Sequence, residues 1–125
     1  MSQELNNARK AGILLQEICH ACSARSGWWK DVSFSDPMLV PTKLMLVVSE
    51  LAEAMEGHRK SLMDDKLPHR TMLEVELADA AIRIFDLAGA LEFDLGEAIA
   101  EKLNYNAQRP DHKLNNRAAV GGKAY

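Results

Sequence analysis

The sequence predicts an all-α protein, a four-helix bundle-like single domain spanning its 125 residues. Three observations carry that prediction. Apolar residues make up 47% of the chain and aromatics only 6%, with many Ala, Leu and Glu, the types that lose least freedom in a helix. Apolar positions recur at helical spacing through long segments. The links between those segments are short, which favours antiparallel helical neighbours.

The first helix is expected over about Gln3 to Ala24, with Ala8, Ala11, Leu15 and Ile18 on one side. Cys19 and Cys22 in "CHAC" lie on it. A structural zinc needs four ligands, no second Cys pair exists, and His58, His69 and His112 show no matching spacing. The two cysteines therefore read as small apolar helix positions. An irregular, aromatic-rich segment follows, "RSGWWKDVSFSDPMLVP". Trp28 and Trp29 within it are candidates for stacking on a nucleobase. The alternative is that one ring anchors the loop while the other lies between subunits.

The second helix is expected from Thr42 to His58, with Leu44, Val47, Val48, Leu51 and Met55 as its core face. Glu50 and Glu53 stand at the edge of that face. After the link "RKSLMDDKLP" comes the third helix, about Arg70 to Glu92. Leu77, Ala80, Ile84, Leu87, Ala88 and Leu91 form one apolar face, and Val75, Ala78, Ile82, Phe85 and Gly89 form another nearly opposite. One subunit covers only one such face readily, so a homodimer or a tetramer of dimers is expected. The fourth helix runs from Leu95 to Gln108, capped by Asp94 with Glu97 at its third position. Pro110 discourages its continuation, and residues 114–125 read as a loose tail.

Composition excludes several function classes. A net charge of -3 and a pI near 5.8 argue against binding nucleic-acid polymers, which requires many phosphates to be neutralised. The longest apolar run, "LMLVV", is far short of the roughly 20 residues of a membrane span. The polar start "MSQELNNARK" has no signal-peptide apolar region, so a cytoplasmic protein is expected.

Chemistry concentrates in two acidic doublets, Glu50 with Glu53 and Glu76 with Asp79. Each has i,i+3 spacing, which puts both carboxylates on one helix face. Glu76, Asp79, Arg83 and Asp86 form a narrow charged stripe between the two apolar faces of the third helix. Acids in such surroundings need a cation or a hydrogen-bond partner. Two such helices side by side would gather four carboxylates into an oxygen-lined pocket suited to magnesium. On the fourth helix Lys102, Asn106 and Arg109 fall at i, i+4 and i+7, and a point charge, an amide and a guanidinium fork in line suit a polyphosphate.

The order ExxE, a gap, ExxD, then KxxxNxxR resembles the MazG-like branch of the all-α nucleoside triphosphate pyrophosphatases, over roughly Thr42 to Lys113. The resemblance implies magnesium-dependent hydrolysis of a nucleoside triphosphate to the monophosphate and pyrophosphate, with manganese as a substitute metal. It implies Glu50, Glu53, Glu76 and Asp79 as metal ligands and Lys102, Asn106 and Arg109 as phosphate contacts. Many relatives begin the first motif with two adjacent glutamates, whereas Ser49 stands before Glu50 here. A catalytic role is expected of Glu50 or Glu53 as proton acceptor for the attacking water, and of Lys102 toward the leaving pyrophosphate. A dedicated dUTPase, dCTPase or phosphoribosyl-ATP pyrophosphatase is the alternative within the same class. A noncatalytic helical oligomerisation module is the alternative outside it.

Overall fold

The computed structural model describes residues 1–125 and is all-helical, with five α-helices. They are α1 (Gln3–Arg25), α2 (Leu39–Arg59), α3 (Met72–Ala90), α4 (Leu95–Gln108) and α5 (Leu114–Ala118). A 3-10 turn covers Pro110–His112, and extended pairing is limited to one isolated bridge between Met63 and Thr71. The chain divides into two compact units, Gln16–Phe93 and Met1–Leu15 with Asp94–Tyr125.

In the first unit α2 and α3 pack as an antiparallel pair, as the pairings Gly57 with Met72 and Glu50 with Arg83 require. α2 begins three residues before the expected Thr42. Pro41 does not prevent this, because it sits in the first turn, where a backbone N–H has no helical acceptor anyway. α3 starts at a cap the sequence also carries: Thr71 accepts a hydrogen bond from the Glu74 backbone N–H (3.1 Å). The link folds back on itself through Met72 N to Leu62 O (3.0 Å) and Asp64 N to Arg70 O (2.9 Å). Asp64 is buried there, its carboxylate taking the N–H groups of Lys66 and Leu67.

Small residues set the closeness of the helix pair. The buried apolar side chains are Val47, Ala54, Ala80, Leu87 and Ala88 in this unit and Ala100 in the other. The expected α2 core face is only partly a core: Val47 is buried, whereas Leu44, Val48, Leu51 and Met55 are exposed. These four follow i, i+4, i+7 and i+11, a continuous stripe that no part of a single chain covers.

α1 ends in a Schellman motif, with Gly27 at φ 87°, Gly27 N bonded to Ala24 O (3.0 Å) and Trp28 N to Ser23 O (3.3 Å). The left-handed residue turns the chain sharply and delivers both tryptophans just beyond the helix end.

In the second unit the N-terminal part of α1 crosses α4 at two glycines. A Cβ on Gly12 would lie 2.6 Å from Gly96 Cα, and one on Gly96 would lie 2.7 Å from Ile13 N. Replacing Gly96 with Ala should therefore cost about 1–3 kcal/mol, because backbone rather than a side-chain tip must move. Urea unfolding measures it, and an unchanged midpoint would show that the crossing tolerates a methyl group. Asp94 caps α4 as expected, accepting from Glu97 N (2.9 Å). The tail differs from expectation in containing α5, and Arg117 donates back to the carbonyls of Lys123 and Ala124.

Candidate metal centre and adjoining cavity

Antiparallel packing of α2 and α3 brings Glu50, Glu76 and Asp79 together, with one carboxylate oxygen of each within 4.8 Å of the others. Glu50 and Glu76 are only 9% and 8% exposed. Glu53 stands at the rim, exposed, and in hydrogen-bond reach of both glutamates. Arg83, one turn beyond Asp79, holds Glu50 through Nε to Oε1 at 2.9 Å.

The electrostatics follow from burial and crowding. Burial first, then the hydrogen bonds and charges of Glu50 and Glu53, push the Glu76 carboxyl up to about 8. Burial and the Glu50 charge also raise Asp79, to which Asp64 contributes. Glu50 goes the other way: burial alone would raise it, but the hydrogen bonds of Glu76 and Arg83 outweigh that and lower it. One proton thus stays on Glu76 at neutral pH. Its Oε2 is buried with no hydrogen-bond partner. An acceptor orphaned among converging carboxylates is what a divalent cation would satisfy, and the donor set is all oxygen. Ser49 takes no part, since its hydroxyl donates to Leu46 O within α2 (2.6 Å).

A cavity of about 690 Å³ shares Glu50 and Asp79 as lining with this cluster. Ile18, Leu46 and Ile82 supply apolar wall, and Trp28, 71% exposed, borders it. The two tryptophans therefore part ways. Trp29 is engaged within the unit: it stacks on Phe34 (5.8 Å, 11°), meets His20 edge-on, lies under the Lys43 ammonium (4.5 Å) and donates to Asp86 (2.8 Å). Trp28 has no such contacts. The cysteines also border the cavity, Cys19 half-buried with its thiol pushed up by burial, and Cys22 exposed and accepting from Arg25 (3.2 Å). Both lie on α1 as expected, although only Cys19 is partly covered.

Lys102, Asn106 and Arg109 belong to the other unit. They do not share one helix face, because α4 ends at Gln108 and Arg109 is extended (φ -71°, ψ 135°). Pro110 explains this, as it disfavours helical backbone in the residue before it. Lys102 lies over the Tyr105 ring (4.7 Å), and the Asn106 Oδ1 is buried without a partner. Arg109 grips Asp111 with two nitrogens while Lys123 adds a third contact (2.8 Å). Lys123 first and Arg109 second lower Asp111 to about 2.

Sequence reasoning missed Arg83, Asp86 and Asp64 as partners of the site. Arg83 and Asp86 were visible on the charged stripe of α3, but their partners lie on other elements. No helix is long and apolar enough to cross a membrane. Comparison with protein-family models, curated proteins and solved structures finds no match to this chain.

Proposed function

We propose that this chain is a magnesium-dependent pyrophosphohydrolase of nucleoside triphosphates, acting in the cytoplasm on the nucleotide pool. The observation that carries the reading is the buried, unpartnered Glu76 Oε2 within a three-carboxylate cluster beside a cavity of about 690 Å³. The MazG-like order of acidic and basic motifs supports it from the sequence side.

Glu50, Glu76 and Asp79 would hold the metal, with Glu53 completing the set from the rim. Magnesium, when bound, supplies charge neutralisation for the triphosphate and polarises its phosphate oxygens. Arg83 fixes the Glu50 carboxylate, so Glu50 keeps a single orientation. Glu53, exposed and unburdened by such a partner, is the better acceptor for the proton of the attacking water. The assignment of Lys102, Asn106 and Arg109 to the phosphates rests on the sequence pattern and on the chemistry of cation and fork. A screen of nucleoside triphosphates should give pyrophosphate with magnesium or manganese and nothing with excess chelator. Turnover that survives chelation would favour metal-free chemistry.

The same reading includes assembly into a homodimer, or a tetramer of dimers, through the central helices. Leu51 and Met55 are 46% and 64% exposed in the α2 stripe, and Leu77, Ile82 and Ile84 are uncovered on α3. So much aligned apolar surface on a chain of this size fits an interface better than bulk water. Leu51→Asp should yield monomers or aggregates, because it would bury an unpaired charge between copies. Light scattering of the unsubstituted protein at micromolar concentration checks this; a clean monomer would contradict it.

A further inference from the structure

Asp86 is the one carboxylate in the cavity wall that the metal cluster does not use. Its Oδ1 accepts from Trp29 Nε1 and lies 2.8 Å from His20 Nδ1, so both lone-pair directions of that oxygen are taken. Its Oδ2 carries neither bond. The side chain cannot turn away, because its partners are themselves fixed. Trp29 is held by Phe34 and Lys43, and His20 is seated against Gly89, where a Cβ would strike the imidazole.

We propose that Asp86 reads the nucleobase through Oδ2 and selects nucleotides whose base carries an exocyclic amino group. This rests on the hydrolase reading for the nature of the ligand. A carboxylate only accepts hydrogen bonds, and adenine, cytosine and guanine each present an amino donor. Thymine and uracil present carbonyl oxygens on either side of their one ring N–H, and these repel a fixed carboxylate. Ile18, Leu46 and Ile82 in the same cavity wall offer those carbonyl oxygens no hydrogen-bond donor in exchange. A charge-assisted bond formed there distinguishes the two classes by about 10- to 100-fold. Trp28 adds a face on which any base can stack, so it contributes affinity without choosing among bases.

The test removes the amino group from the ligand instead of the acid from the protein. Tryptophan fluorescence titration of the unsubstituted protein compares dAMP with its 6-deamino analogue, and dGMP with dIMP. The amino-bearing member of each pair should bind about 10- to 100-fold more tightly. In Asp86→Asn the difference should shrink to about threefold or less, since the neutral amide accepts weakly and also donates. Equal affinities within both pairs would overturn the proposal. So would an Asp86→Asn variant that weakens all four ligands by one common factor, the behaviour of a clamp that only holds Trp29 and His20. If circular dichroism shows that Asp86→Asn does not fold, the two ligand pairs decide alone. Because the ligands are monophosphates, a protein that discriminates them yet cleaves no triphosphate refutes the hydrolase reading and leaves Asp86 as the base reader.

Discussion

Replacing Glu76 with Gln is expected to lower magnesium-dependent pyrophosphate release by about a thousandfold or more, the scale typical of losing a group essential to the chemical step. The substitution keeps the shape and removes the one carboxylate whose buried oxygen has no protein partner. It should also leave the metal-free fold intact. Without metal, Glu76 is already protonated at neutral pH, so a neutral amide resembles the state it replaces. A variant that is folded, inactive and no longer stabilised by magnesium is therefore the expected result. Full turnover in the folded variant would remove Glu76 from the metal centre. Turnover lost together with the fold would make it a structural residue instead.

The second large effect is a dependence of stability on pH that magnesium reverses. Glu76 titrates at about 8 in the folded chain against an ordinary 4.5, so between those values the folded state holds a proton that the unfolded chain has released. Stability of the metal-free protein must then fall as pH rises through that window. Asp79, also raised, acts in the same direction. Glu50, lowered, has the opposite sign, and its contribution is lost as pH falls below the usual carboxylate range. Magnesium competes with the Glu76 proton, so its stabilising effect grows across the same interval. Thermal unfolding from pH 5 to pH 8.5, with and without magnesium, should give curves that diverge toward alkaline pH. Parallel curves would mean that the cluster neither keeps a proton nor trades it for a cation.

The doublets were legible in the sequence because i,i+3 spacing fixes a shared face on any helix, whatever the helix packs against. Glu76 and Asp79 share a face as that spacing implied, whereas the packing of α2 on α3 brings Glu50 to them and leaves Glu53 at the rim. The Asp94 cap was legible for the same reason, being local. Arg83 was visible as a charge, but its bond to Glu50 depends on the register of two helices that a twelve-residue link joins, from Lys60 to Thr71. Asp64 gave no signal, because its burial comes from a turn formed by the link itself. The α2 stripe shows where periodicity misleads: apolar spacing marks a face that seeks cover, and Leu44, Val48, Leu51 and Met55 find none within one chain. Arg109 misled in the opposite sense. Counting along a helix placed it in line with Lys102 and Asn106, although Pro110 had already ended the helix one residue earlier.

In the proposed reaction water attacks the α-phosphorus of a nucleoside triphosphate at the carboxylate cluster. Turnover in oxygen-18 water with magnesium, read by mass spectrometry of both products, tests it directly. One heavy oxygen is expected in the nucleoside monophosphate and none in the pyrophosphate, with labelled product falling about a thousandfold or more when Glu76 is replaced by Gln. Label in orthophosphate released from the γ position, or label in the pyrophosphate, would contradict it.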